Sequence, residues 1–105
     1  MATSYRMAHR GLYDNEHGIP ENSMAAFRRA VDKGYGIELD VHLTADNQLV
    51  VFHDDTLIRM CGMNKKISSF LYSDLMQLRL LGTEEGIPLF KDVLELIDGK
   101  VPLII

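Results

Sequence analysis

The chain lacks the features that mark several classes of protein. It has a single cysteine, Cys61, so no internal disulfide can form and a reducing compartment is expected. No apolar run is long enough for a signal peptide or a membrane span. No basic run or basic-aromatic stripe suggests a nucleic-acid surface, and no internal repeat is present. We therefore expect a soluble cytoplasmic protein without a membrane span that binds no nucleic acid.

The chain does contain enough apolar sequence for one folded domain. Hydrophobic residues make up 47% of its 105 residues, and the net charge of −4 is spread along the chain with both signs mixed. A chain of this length is expected to form one domain rather than several.

The first half of the chain predicts a strand, a helix and a second strand. Residues 4–9 alternate as a short strand. Asn22 or Ser23 is the candidate N-cap of a helix that Gly34 ends. Residues 36–55 then run as an alternating strand, a turn and a second apolar strand.

The second half is less regular. Residues 56–70 have no clear period and are interpreted as a loop or short extension. A short helix capped by Ser73 is predicted over residues 73–79. Residues 90–97 carry apolar side chains at helical spacing, and residues 101–105 form an apolar, strand-like run expected to be buried on both faces.

Strands that alternate with helices predict parallel pairing with crossover connections. Three such strands leave two sheet edges unpaired. A (β/α)₈ barrel takes about 250 residues, so the chain corresponds to about two fifths of one. We therefore predict an α/β fold in which residues 1–105 form the N-terminal portion of a single TIM-barrel domain, the C-terminal remainder being absent. The open edges also favour self-association.

Two acids stand on one face of the second strand. Glu38 and Asp40 are roughly 7 Å apart at the backbone, by the rise of an extended chain. Two carboxylates this close repel each other unless a cation lies between them, and Mg²⁺ or Ca²⁺ prefers such oxygens. The alternative is a solvated face of an antiparallel sheet.

Two histidines and an arginine are expected near these acids. His9 and Arg10 end the first strand, and His53 ends the apolar run after the turn. In a barrel, chemistry lies at the C-terminal ends of the strands. Histidines exchange protons near neutral pH and an arginine fork grips phosphate, so the set suits phosphodiester hydrolysis. The alternatives are a hydrogen-bonded strand-end histidine and, for Arg10, a salt bridge to Glu38 or Asp40.

Four motifs carry a resemblance that spans nearly all of the chain. They are H-R-G at residues 9–11, P-E-N-S at 20–23, G-I-E-L-D-V at 36–41 and V-F-H-D at 51–54. In order and spacing they resemble the glycerophosphodiester phosphodiesterase family. The resemblance implies a TIM-barrel hydrolase that splits a small-molecule glycerophosphodiester into sn-glycerol 3-phosphate and an alcohol.

The resemblance also implies roles for the site residues. It implies Mg²⁺ or Ca²⁺ held by Glu38 and Asp40, His9 and His53 as the acid/base pair, and Arg10 beside the phosphate. The family's third metal carboxylate follows a pattern that residues 101–105 match up to its last position. The alternative function is therefore a catalytically silent fragment or a self-associating module.

Four further polar side chains are interpreted from their positions. Glu21 either favours the positive end of the following helix or reaches the site from the first loop. Asn22 is interpreted as a helix cap rather than a substrate contact. His17 and His42 are interpreted as surface or structural residues.

Overall fold

The structure, a computed structural model, describes residues 5–105. In chain order its strands are β1 (Met7–His9), β2 (Gly36–Glu38), β3 (Val41–Leu43), β4 (Leu49–Val51), β5 (Thr56–Leu57), β6 (Met63–Lys66) and β7 (Leu103–Ile104). Its helices are α1 (Met24–Asp32), α2 (Ile58–Cys61), α3 (Tyr72–Leu75) and α4 (Phe90–Ile97). Single 3₁₀ turns lie at residues 15–17, 67–69 and 80–82. Within the described range, no helix has the length and apolar character that a membrane crossing requires.

Three parallel strands form the central sheet, in the spatial order β1-β2-β7. His9 pairs with Glu38 at the C-terminal ends of β1 and β2, and Ile37 pairs with Leu103 of β7. The predicted parallel pairing is confirmed. The predicted first strand starts at Met7 among the described residues, while Ser4 lies outside them.

The second strand is shorter than its alternating pattern predicts. The alternation continues to His42, but β2 ends at Glu38 and the chain then enters an antiparallel hairpin of β3 and β4. The carbonyl of Asp40 already accepts a hydrogen bond from the backbone N–H of Phe52, at 3.0 Å. The backbone pairing therefore passes from the central sheet to the hairpin between Glu38 and Val41.

The insertion between β4 and α4 is more ordered than predicted. Residues 56–70 contain a second antiparallel hairpin, β5 and β6, with α2 between its strands. The predicted cap at Ser73 is wrong, because α3 begins at Tyr72 and no side chain caps it. Helix α4 occupies the predicted range. The last strand is not buried on both faces, since Ile104 is 55% exposed.

Helix α1 forms where its apolar stripe and its cap predict. Its N-cap is Ser23, whose Oγ accepts a hydrogen bond from the N–H of Ala26 at 3.1 Å. Ala26, Phe27 and Ala30 are buried on the stripe that faces the sheet. Of the two predicted N-cap candidates, Ser23 is confirmed and Asn22 is not the cap.

Two hydrophobic clusters lie on opposite sides of β4. Val51 points into the main core, where α1 and α4 pack on the central sheet. Val50 and Phe52 point into a second core under the insertion. Alternate residues of a strand face opposite ways, so β4 contributes side chains both to the core of the central sheet and to the core of the insertion.

Glu85 caps helix α1 from 60 residues away, and its removal should loosen the helix. Its Oε1 accepts a hydrogen bond from the N–H of Ala25 at 3.0 Å. A carboxylate here pairs an orphan donor and complements the helix dipole. We expect Glu85→Ala to lower the free energy of unfolding by about 1 kcal/mol in urea denaturation. Its exposed neighbour offers the matched control, Glu84→Ala, and equal effects of the two changes would contradict the capping role.

Candidate active site

His9 and Glu38 are in contact at the C-terminal edge of the central sheet. The Nε2 atom of His9 lies 3.0 Å from Oε2 of Glu38, and the His9 side chain is 58% exposed. The backbone N–H of Arg10 also donates to the carbonyl of Glu38, at 2.7 Å. The parallel register therefore places an imidazole, a carboxylate and the start of the arginine loop at one open edge.

The chain turns sharply after His9. Arg10 and Asn22 have φ values of 59° and 55°, and Gly11 has a φ of 80°. The backbone N–H of Asn22 donates to the carbonyl of Arg10 at 2.8 Å, which closes the loop that follows β1. Left-handed conformations cost a non-glycine residue roughly 1–2 kcal/mol, so the surrounding contacts hold Arg10 in a strained conformation, as is frequent at functional sites.

Glu21 is a buried carboxylate between two arginines. Its side chain is 2% exposed and receives Nη1 of Arg59 at 2.7 Å, Nη2 of Arg59 at 2.8 Å and Nη1 of Arg10 at 3.2 Å. Asn15 donates at 3.1 Å. Burial raises the pKa of Glu21, but the hydrogen bonds from Arg59 and Asn15 and the two positive charges outweigh it, so this pKa lies below its usual value. Glu21 thus reaches the candidate site from the first loop.

His53 follows β4 and pairs with its neighbour Asp54. The Nδ1 atom of His53 lies 2.7 Å from Oδ1 of Asp54. Arg59 holds the same carboxylate through Nε at 3.0 Å and Nη2 at 3.1 Å. His42 supports the loop from β3, because its Nε2 lies 3.1 Å from the carbonyl oxygen of His53 and a carbonyl can only accept. The structural interpretation of His42 is confirmed.

Asp40 carries an unpaired oxygen that fits a cation. Its Oδ2 is buried and has no hydrogen-bond partner among residues 5–105. Buried carboxylate oxygens are costly unless they are paired or bind a metal. Glu38 and Asp40 supply the oxygen ligands that Mg²⁺ and Ca²⁺ prefer. No group of three or more His, Cys, Asp or Glu residues in the described range could hold a metal, so this pair needs further ligands.

The predicted site residues fall into two groups that Arg59 and Glu21 connect. His9, Glu38 and Arg10 lie together at the ends of β1 and β2. No hydrogen bond in the described part of the chain joins His53 directly to that group. The link runs from Arg10 through Glu21 and Arg59 to Asp54. The alternative prediction for Arg10, a salt bridge to Glu38 or Asp40, is wrong, because the Arg10 side chain pairs with Glu21.

Arg59 is not among the site residues predicted from the sequence. The residue lies in a stretch with no clear period, five positions beyond Asp54. No periodic or turn signal in the sequence relates it to Glu21, 38 positions away, so its contacts are visible only in the folded structure. Asn22 was considered as a cap; it is buried, and its side-chain amide has no partner within residues 5–105.

Lowering the pH should lower the free energy of unfolding, because Asp54 becomes protonated. The hydrogen bond from Arg59 lowers the pKa of Asp54 to about 2. Burial raises this pKa by a smaller amount, and the hydrogen bond with His53 lowers it further. A folded-state pKa below the unfolded value gives stability above the unfolded pKa that is lost as the pH falls towards the folded one. We expect Asp54 to contribute about 2 kcal/mol near neutral pH, lost between about pH 4 and pH 2.

The measurement is urea denaturation of the wild type and of Asp54→Asn from pH 7 to pH 2. The two free energies of unfolding should differ at pH 7 and converge towards pH 2. A difference that is the same at both ends of this range would contradict the ion pair.

The fold defines the class of protein. The structure is part of a (β/α)₈ barrel, and it superimposes on solved phosphodiesterases of that fold. A glycerophosphodiester phosphodiesterase from Agrobacterium tumefaciens matches with a TM-score of 0.84 and 30% identity, over 96% of this chain and 46% of that one. An Oleispira antarctica phosphodiesterase, solved in complex with the product sn-glycerol-3-phosphate, matches with a TM-score of 0.82 and 30% identity, over 95% of this chain and 42% of that one.

Sequence comparison then gives the family. The model of the glycerophosphoryl diester phosphodiesterase family matches residues 9–105, and the chain belongs to this family. A glycerophosphodiester phosphodiesterase from Caldanaerobacter subterraneus subsp. tengcongensis is 40% identical over 103 residues, covering 90% of this chain and 40% of that protein. The chain thus spans about two fifths of the length of the curated relatives that it matches.

Proposed function

We propose that the protein containing this chain hydrolyses a glycerophosphodiester to sn-glycerol 3-phosphate and an alcohol. The observation that carries the proposal is the contact of His9 with Glu38 at adjacent strand ends. Two positions after Glu38, Asp40 has a buried carboxylate oxygen without a hydrogen-bond partner among residues 5–105. An acid/base group next to a cation-binding pair is what phosphodiester hydrolysis requires. The solved Oleispira antarctica relative supports the choice of product.

Glu38 and Asp40 would hold the divalent cation, Mg²⁺ or Ca²⁺. When bound, such an ion polarises a phosphoryl oxygen and neutralises developing charge. The unpaired oxygen of Asp40 and the half-buried carboxylate of Glu38 fit this role. Coordination sites beyond these two carboxylates would be filled by water or by further protein ligands, since Mg²⁺ is often held by one or two carboxylates.

His9 and His53 would move the protons. An ionised carboxylate can only accept a hydrogen bond, so the contact with Asp54 places a proton on Nδ1 of His53. Its Nε2 is then the atom that takes or gives a proton at the substrate. The Nε2 atom of His9 is engaged by Glu38.

Arg10 would bind the phosphate. Its Nη1 is committed to Glu21, while its Nη2 makes no hydrogen bond among the described residues. A guanidinium can bind one partner at each edge. Arg10 could thus contact a phosphate oxygen without leaving Glu21.

We propose further that residues 1–105 are the N-terminal portion of one barrel domain. The share of each relative that the chain covers supports this. The codon after Ile105 in the gene tests the proposal. A glutamate there would supply the third carboxylate of the family, and a stop codon would contradict the proposal.

The activity test is release of glycerol 3-phosphate from glycerophosphocholine by the polypeptide that the gene encodes. We expect release in Mg²⁺ or Ca²⁺, loss of release in excess EDTA, and recovery when the cation is restored. Release that EDTA does not change would contradict the cation site. No release from a protein with a cooperative thermal transition would contradict the proposed activity.

The open sheet edges favour the second proposal, a silent, self-associating module. Ile104 of β7 is 55% exposed, and an unpaired strand can recruit a second chain. Size-exclusion chromatography with light scattering separates the two proposals. A monomer with a cooperative transition counts against self-association, whereas an inactive oligomer supports it.

The cytoplasmic location and a role in glycerol or lipid metabolism stay predictions.

A further inference from the structure

We propose that Arg59 is a positioning residue that holds the loop of His53 against the loop of Arg10. The role of Arg59 in turnover rests on the proposed function, whereas its effect on the tautomer of His53 does not. The proposal rests on the contacts of one guanidinium group with two carboxylates from different parts of the chain.

The guanidinium of Arg59 uses both of its edges. One edge binds Glu21, with Nη1 at 2.7 Å from Oε1 and Nη2 at 2.8 Å from Oε2. The other edge binds Asp54, with Nε at 3.0 Å from Oδ2 and Nη2 at 3.1 Å from Oδ1. Only a planar fork can make these four contacts, since an ammonium group is a point charge. Arg59 therefore acts as a bridge between the two acids.

The contact of Arg59 with Asp54 determines which tautomer His53 adopts. With both oxygens of Asp54 held by Arg59, its Oδ1 can accept the Nδ1 proton of His53 at 2.7 Å in one fixed direction. The His53 side chain is 40% exposed, so water competes for both ring nitrogens. Without Arg59 the carboxylate is free to rotate, and the imidazole then populates its other tautomer.

The Glu21 end connects this loop to Arg10. Glu21 is buried and accepts from both arginines, so two positive and two negative groups balance across Arg10, Glu21, Arg59 and Asp54. Removing Arg59 leaves Glu21 with Arg10 as its remaining cation among the described residues. The carboxylate of Glu21 then binds Arg10 more strongly, and Arg10 binds the substrate phosphate less strongly.

The first experiment measures the tautomer of His53 by ¹⁵N NMR of the 105-residue chain. Wild type should show the form with the proton on Nδ1. Arg59→Gln and Arg59→Lys should both shift His53 towards the form with the proton on Nε2. The lysine variant keeps a positive charge beside Glu21, so it tests the fork even where the glutamine variant fails to fold. An unchanged tautomer in a folded Arg59→Lys chain would overturn the proposal.

Two controls are available in the same molecule. Arg79 is exposed and, among residues 5–105, donates hydrogen bonds only to the carbonyls of Met76 and Leu78, so Arg79→Gln should leave His53 unchanged. His17 has the same Nδ1–carboxylate pairing, with Asp14 at 2.8 Å, and its signal should not respond to Arg59. A His53 shift of the same size in Arg79→Gln would also overturn the proposal.

The second experiment measures turnover of the gene-encoded protein. Arg59→Lys should lower kcat by about 10–100-fold, the usual effect of losing an orienting partner behind a site, with a smaller change in KM. An active wild type whose kcat is unaffected by Arg59→Lys overturns the positioning role. An inactive but folded wild type instead refutes the proposed function, and the tautomer measurement still decides on Arg59.

Discussion

Replacing His53 with alanine is expected to lower kcat for glycerophosphodiester hydrolysis by about 10²–10⁴-fold, the usual contribution of a general acid or base. The His53 side chain is 40% exposed, so its removal costs little packing. His9→Ala should have a loss of the same order, because His9 is the imidazole at the end of the neighbouring strand and is 58% exposed. Initial rates of glycerol 3-phosphate release measure both.

The chain offers a matched control for this experiment. His17 is also exposed and also pairs its Nδ1 with a nearby aspartate, Asp14. It lies in the loop after β1, and no hydrogen bond or ion pair within residues 5–105 joins it to Glu38 or Asp40, so His17→Ala should keep wild-type kcat. Full activity in a His9→Ala, His53→Ala double variant would refute the assigned roles.

Adding one methyl group at Gly11 is expected to lower the free energy of unfolding by about 2–5 kcal/mol. Gly11 has a φ of +80°, and a Cβ there would lie 2.9 Å from Cβ and 3.1 Å from the backbone carbon of Ala26. Ala26 is fully buried in α1, so neither atom can move away cheaply. The substitution thus combines left-handed strain with overpacking beside the His9–Arg10 turn.

Gly18→Ala separates these two effects. Gly18 has the same φ of +80°, but a Cβ there would meet no atom of the described residues within 4 Å. Its cost should therefore be the conformational strain alone, about 1–2 kcal/mol. Urea denaturation of both variants measures the difference. Equal losses would show that the close approach of the turn to α1 is not the cause.

The regular elements could be predicted because their signals are local. Helix α4 is recognisable from apolar side chains at helical spacing, and α1 from its stripe and its cap. The parallel sheet follows from strands separated by helices. The insertion could not be predicted in the same way. Its strands have two to four residues, too few to show a period, and its hairpin packs over the second core.

The edge of the candidate site was also predictable in part. His9 and Glu38 end neighbouring parallel strands, so their contact follows from the topology. The place of His53 relative to them does not, because it depends on how the hairpin of β3 and β4 leaves the sheet. The binding of a cation by Glu38 and Asp40 stays a prediction.

From residue order alone come the family, the parallel α/β architecture and the pairing of an imidazole with an acid at the strand ends. These features depend on the spacing of residues within short stretches of the sequence, so they can be recognised without the structure. The link from Arg10 through Glu21 and Arg59 to Asp54 belongs to the folded molecule. Glu21 and Arg59 are 38 positions apart, and no periodic or turn signal relates them. They meet because β4 packs into both hydrophobic cores and so holds the insertion against the central sheet. The buried carboxylate of Glu21 is then paired with arginines from two separate parts of the chain.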